Sequence, residues 1–349
     1  MLRWRLILGF SIVLAVIGLC WLDVFMEQLT QIPGLALFPL LILLITLAGQ
    51  EMLHLANRNH VFPVPWITYL GCYLIAASAW GMFVIQHYAN RTASQTVSIV
   101  ESAGTLAGAE SLTGNGESAA RSQETRTADR KPTDGRNVKL IQKLEHLTPG
   151  NWALSAFALS VILVFSQEMY SFVRPGAVNV RISYTIFTLV YVGLLPTFLA
   201  QIRLCHGLPM LGAYVAIIKM GDIGAYTVGR LFGRNKMAPS LSPGKTIEGA
   251  VGAILFSVLM SLIFFWWLMP LLGKPCAPVK LIWWIVYGIA LGLLGMLGDL
   301  AESLLKRDAE IKDAGSIVPG FGGVLDILDS LLLAAPVAYA FLTLNLLFD

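Results

Sequence analysis

Nine long apolar blocks, at 6–22, 33–50, 66–87, 152–172, 182–200, 208–229, 246–269, 281–298 and 331–348, constrain this chain more than any motif does. A run of roughly 18 apolar residues is long enough to cross the hydrocarbon layer as a helix, whose backbone groups are satisfied internally. The residues between the blocks cannot supply a polar exterior. Of the 349 residues, 56% are hydrophobic and 13% are charged, against about a quarter charged in a soluble domain. The expected fold is therefore all-α: a polytopic integral membrane bundle of about nine transmembrane helices, with the lipid bilayer as its first partner. A formal charge of +3 offers no nucleic-acid surface. Cys20, Cys72, Cys205 and Cys276 lack CxxC spacing, which indicates neither a zinc site nor a disulfide framework. Arg3 and Arg5 before the first block mimic a signal peptide. The run ends in Cys20-Trp21-Leu22-Asp23 without a small-x-small cleavage pattern, so it is read as a retained span.

The blocks divide the chain into three parts. Residues 1–87 form an N-terminal transmembrane part of three spans, and residues 151–349 a C-terminal catalytic part of six. Residues 88–150 are polar, and between Ala89 and Val138 there is no Phe, Trp or Tyr. Such a stretch buries too little to offset its ordering entropy, so a disordered linker is expected. Lys and Arg concentrate in cytoplasmic loops. Arg3 and Arg5 precede the first span, whereas the next loop holds Asp23 and Glu27 without a cation. That places the N-terminus in the cytoplasm. Counting spans then puts the loops 230–245 and 299–330 on the cytoplasmic side, and in any orientation they share a side.

Those two loops hold the polar chemistry. Lys219 and Asp222 lie three apart inside a span, where charge is costly and either pairs structurally or serves function. Ser242-Pro243-Gly244-Lys245-Thr246-Ile247-Glu248-Gly249 opens a helix with a Gly-Lys-Thr turn, a backbone suited to anions. It is no P-loop, because Pro239 stands where the first glycine belongs. A basic loop beside a membrane also serves topology or headgroup binding alone. Further on, Asp299, Glu302 or Ser303, and Lys306 share a helical face, although a single carboxylate at a helix start is most often a cap. Lys312-Asp313, the turn Pro319-Gly320-Phe321-Gly322-Gly323, and then Asp326 and Asp329 follow. Carboxylates on neighbouring helices are hard oxygen ligands that hold Mg²⁺ against phosphates, and two-metal geometry suits nucleotidyl transfer. HExxH, GxSxG and GxGxxG are absent, and the five histidines are scattered.

Together these residues resemble the phosphatidate cytidylyltransferase (CDP-diacylglycerol synthase) family. The family's signature is read in Ser303, Lys306-Arg307, Lys312-Asp313, Pro319 to Gly323, Asp326 and Asp329, with upstream blocks at Asp222–Tyr226 and Ser242–Gly249. Two positions depart from it: Phe321 stands for the family's His and Ile327 for its Arg. The resemblance implies that CTP and phosphatidic acid give CDP-diacylglycerol and pyrophosphate. It implies Mg²⁺ on Asp299 and Asp326 with Asp329 adjacent, and leaves a second, monovalent cation open. Lys245, Lys306, Arg307, Lys312 and Asp313 become the catalytic set, the four cations holding phosphates. Asp222, Ser242, Gly244, Thr246, Ser303, Gly322 and Gly323 become substrate-binding residues. The implied setting is a bacterial inner membrane with the site facing the cytoplasm, and a homodimer is compatible with it. A transporter whose pathway is lined by Lys219, Asp222 and Asp299 remains the alternative of another class, and an inactive or lipid-kinase-like relative a third.

Overall fold

The structure is a computed structural model that describes residues 2–110, 149–172, 176, 178–272, 281–311, 315 and 322–347. Among them nine helices follow one another: α1 Leu2–Thr30, α2 Leu37–Arg58, α3 Pro65–Glu110, α4 Pro149–Tyr170, α5 Val178–His206, α6 Leu208–Phe232, α7 Ile247–Leu271, α8 Leu281–Asp308 and α9 Val324–Thr343. From α2 onward, eight of these are long and apolar enough to cross a membrane, α3 by its part Pro65–Tyr88 and α4 by Asn151–Tyr170. The first expected span, 6–22, lies within α1. The chain is a polytopic helical membrane protein.

Residues Met1–Trp80 and Ala153–Asp349 form one compact unit, and Gly81–Trp152 form another. The second unit holds the later turns of α3, which carry the helix through residues 88–110 of the expected linker. The rest of that linker, up to residue 148, lies outside the described residues.

Within the first unit, the helices pack by two devices that suit a bundle in lipid. Small residues let backbones approach, and side-chain hydroxyls bond to carbonyls of neighbouring helices. A Cβ on Gly224 in α6 would come within 2.5 Å of the Gly252 carbonyl of α7, so only glycine fits there. Ser257 Oγ of α7 donates to Ile217 O of α6 at 3.2 Å, and Ser261 Oγ to Trp284 O of α8 at 2.8 Å. The Tyr214 hydroxyl donates to Leu331 O of α9. α2 joins the group through Tyr184 Oη, which donates to Met52 O at 2.9 Å. The core these contacts enclose includes Tyr214, Phe265, Trp284 and Tyr287, all fully buried. On the outside, Val251, Leu255 and Leu259 of α7 are exposed at four-residue spacing, the apolar stripe a lipid-facing helix presents.

Two departures from helical regularity flank α6. α5 contains π-helical turns at Leu189–Leu194 and Ile202–His206, and its end is turned by Gly207, whose φ of 88° favours glycine. Between α6 and α7 lies a short antiparallel hairpin, β1 Lys236–Ala238 with β2 Ser242–Thr246, pairing Lys236 with Thr246 and Ala238 with Ser242. The all-helical expectation did not include this hairpin. With five residues containing Pro243 and Gly244, β2 has no alternating pattern that marks a strand.

Candidate active site

The hairpin delivers Lys245, and α8 and α9 deliver the acids. Glu248, in the first turn of α7, accepts hydrogen bonds from Arg234 N, Asn235 N and Asn235 Nδ2 at 2.9–3.2 Å. It ties the start of the hairpin to the helix that leaves it. Thr246 caps α7, its hydroxyl accepting from Gly249 N at 3.1 Å. With the hairpin fixed at that end, Lys245 Nζ reaches Asp299 Oδ2 on α8 at 2.8 Å. At the turn, Arg307 Nε donates to Leu241 O at 3.1 Å. The two polar segments expected on one side of the membrane are thus joined directly.

Asp299 is not at a helix start. α8 continues to Asp308, ten residues past the end of the apolar block, and carries Asp299, Glu302 and Lys306 on one face. Gly298 allows α9 to lie against that face, since a Cβ there would collide with the Asp329 carbonyl oxygen. As a result Asp299, Glu302 and Asp329 each offer an oxygen within 4.8 Å of the others. Glu302 is 1% exposed and, among the described residues, its Oε1 has no hydrogen-bond donor, whereas Oε2 meets Lys306 Nζ at 2.6 Å. Three acids this close repel one another unless cations compensate. An all-carboxylate set with one buried oxygen unpartnered fits a hard divalent cation such as Mg²⁺. Sequence reasoning put Glu302 on the right face but did not choose it as a ligand; its burial between α8 and α9 is a tertiary property.

Asp326 has a different setting. Its Oδ1 meets Lys306 Nζ at 2.5 Å and its Oδ2 accepts from Gly323 N at 2.6 Å, so it lies beside the group of three and shares Lys306 with Glu302. Gly322 makes the turn into α9 with φ of 91°, and a Cβ there would come within 2.6 Å of Asp326 Oδ2. Lys219 Nζ pairs with Asp222 Oδ2 at 3.0 Å and donates to Ser330 Oγ at 3.0 Å, which connects α6 to α9 at the residue next to Asp329.

These groups share one cavity of about 780 Å³. Lys219, Asp222, Arg230, Ser242, Gly244, Lys245, Thr246, Asp299, Glu302, Lys306, Asp326 and Asp329 line its polar part, and Tyr226, Met237, Ala253, Leu291 and Met296 are among its apolar walls. Ser303, Arg307, Gly322 and Gly323 are not lining residues; the last two shape the turn that holds Asp326, and Arg307 braces the hairpin. Lys312, Asp313 and Phe321 lie outside the described residues. Ile327 contributes its carbonyl oxygen, 3.4 Å from Lys219 Nζ.

Comparison with known proteins finds relatives over the part of the chain that holds this cavity. A phosphatidate cytidylyltransferase of Synechocystis is 31% identical over 229 residues, covering 58% of this chain and 73% of that protein. One from Bacillus subtilis is 35% identical over 196 residues, 55% of this chain and 68% of its own. One from Chlamydia pneumoniae is 38% identical over 209 residues, 57% and 67% respectively. The sequence profile of the Cytidylyltransferase family matches residues 138–345, which span α4 to α9 and every residue that lines the cavity. This integral membrane chain therefore belongs to the cytidylyltransferase family of enzymes.

Proposed function

We propose that the chain is a phosphatidate cytidylyltransferase that converts CTP and phosphatidic acid into CDP-diacylglycerol and pyrophosphate. The single observation that carries this reading is the cavity in which the Gly244-Lys245 turn, the acids of α8 and α9 and an apolar wall meet. In the proposed reaction an oxygen of the lipid phosphate attacks the α-phosphorus of CTP, and the bond from that phosphorus to the bridging oxygen of the β-phosphate breaks. The electron pair leaves with pyrophosphate. The lipid phosphate is already an anion, so the step needs little base catalysis, and a site with Phe321 in place of the family's His is compatible with it.

What the step does need is the approach of two polyanions, which positioned cations permit. Lys245 and Lys306 reach the cavity from two elements, the hairpin and α8, while Lys219 and Arg230 line its α6 wall. They hold the phosphates. Asp299, Glu302 and Asp329 would hold Mg²⁺, with Asp326 orienting Lys306 beside them. The ion, when bound, neutralises charge on the phosphates and on the leaving pyrophosphate. Ser242, Gly244 and Thr246 of the hairpin would meet the nucleotide, and the apolar lining, with Leu291 and Met296, would meet the diacylglycerol part of the lipid. The site faces the cytoplasm, where CTP is found. Purified protein incubated with labelled CTP, phosphatidic acid and Mg²⁺ is expected to form labelled CDP-diacylglycerol and pyrophosphate. A folded sample that forms neither rules the reading out.

A further inference from the structure

Glu51 lies in α2, far before residue 138 where the family match begins, and is 3% exposed. Among the described residues the ion pairs lie elsewhere, so this buried carboxylate has no Lys or Arg partner there. A buried, unpaired anion is costly, and here backbone donors compensate it. Val324 N donates to Glu51 Oε1 at 2.8 Å and Leu325 N donates to Oε2 at 2.7 Å. These are the first two N–H groups of α9, which have no partner inside their own helix. Gly323, the N-cap, has no side chain to satisfy them. The carboxylate also sits at the positive end of the helix dipole. The fit is close, since a Cβ on Gly323 would lie 2.5 Å from Glu51 Oε2.

The same turn of α9 fixes the acids of the cavity. Gly323 N holds Asp326 Oδ2, Asp326 Oδ1 holds Lys306, and Lys306 holds Glu302, with every link between 2.5 and 2.6 Å. Asp329 lies one turn further along the helix, in the group with Asp299 and Glu302. We propose that Glu51 is a positioning residue for the reaction: from outside the family-matched region, its carboxylate sets where the first turn of α9 sits, and so where Asp326 and Asp329 point. The proposal rests on the reading of the cavity as the cytidylyl-transfer site. Its direct contact, the capture of the two backbone N–H groups, stands apart from that reading.

Two variants of the full-length protein test it. In Glu51→Gln an amide NH₂ replaces one of the accepting oxygens and opposes a backbone N–H. Val324→Pro removes one donor while leaving Glu51 intact, at the first helical position where proline is well tolerated. The extended Gly323, at φ −88° and ψ 171°, suits a following proline. For each folded variant kcat is expected to fall about 10- to 100-fold, since small misplacement of catalytic groups has effects of that order. KM for CTP should stay within about threefold, while the Mg²⁺ concentration for half-maximal rate rises, because a displaced acid weakens the ion's site. Backbone hydrogen exchange over residues 322–331 should quicken at least about tenfold. A folded variant with unchanged kcat and Mg²⁺ response overturns the proposal, however much stability it has lost. If the wild-type protein makes no CDP-diacylglycerol, the functional reading fails separately. Exchange then decides the contact: faster exchange in Glu51→Gln supports it, and unchanged protection refutes it.

Discussion

Glu302 shows how one buried residue does two tasks that conflict. Its Oε2 neutralises Lys306 at 2.6 Å, and among the described residues its Oε1 has no hydrogen-bond donor. A buried, unsatisfied carboxylate oxygen is expensive, and the ion proposed for Asp299, Glu302 and Asp329 would remove that cost. Glu302→Gln keeps the shape and an acceptor for Lys306 but withdraws one negative charge from the group. The Mg²⁺ concentration giving half-maximal CDP-diacylglycerol synthesis should rise about 10- to 100-fold, the range seen when support for a metal site is lost. A Mg²⁺ titration that superimposes on wild type would assign the ion to other ligands. At this scale the sequence revealed the kind of chemistry better than the division of labour. Asp299, Asp326 and Lys306 stand out as charges next to apolar blocks, where charge is rare. Which acid pairs with Lys306 and which joins the group of three depends on contacts between α8 and α9, which have no local signature.

At the scale of elements, the apolar blocks locate eight helices well because hydrocarbon thickness dictates block length. They locate helix ends poorly, because a helix can continue beyond the hydrocarbon. α8 does so for ten residues, which makes Asp299 an interior residue with a full helical face beside it and removes its reading as a cap. The hairpin before α7 was hidden for another reason: its order comes from Glu248 and from Arg307, which bonds to Leu241 O, and not from strand propensity. The contact of α8 with α9 is set by Gly298, and this makes a test of geometry independent of charge. Gly298→Ala places a methyl group against the Asp329 carbonyl, and overpacking of this kind costs about 1–3 kcal/mol. Thermal unfolding in detergent should move down, and specific activity should fall further than stability alone explains, because Asp299 and Asp329 are separated. Gly212→Ala in α6 is the control: among the described residues, nothing beyond its own helix backbone comes within 4 Å of the added carbon, so the substitution should be neutral or slightly stabilising. Equal effects at the two positions would show that the α8–α9 approach is not close-packed.

Across the whole molecule, polar contacts at the two ends of the first unit report which loops share a side. Near the cavity, Asn59 Nδ2 donates to Asp308 Oδ2 at 2.6 Å, joining the α2–α3 connection to the end of α8. At the other end Arg203, 3% exposed, bonds Asp23 Oδ2 through Nε at 2.7 Å and reaches Glu27 Oε2 at 2.6 Å. Asp23 also accepts from Ala36 N at 3.1 Å, so the α1–α2 connection is fastened to the end of α5. Both contacts agree with the alternation obtained by counting spans from Arg3 and Arg5, a rule that fixes which loops lie together before it fixes which side is the cytoplasm. Single cysteines in a background without Cys20, Cys72, Cys205 and Cys276 can read both. Asn57→Cys and Lys236→Cys, at exposed positions near the cavity, should react with a membrane-impermeant maleimide only in inverted vesicles, whose cytoplasmic face is outward. Gln28→Cys, exposed near the Arg203 cluster, should react only in right-side-out ones. If Asn57→Cys and Lys236→Cys label from opposite faces, the packing of α2 against the site helices is wrong and Glu51 cannot reach α9. If all three patterns invert together, the bundle stands but its orientation is reversed, and the cavity would open on the side that lacks CTP.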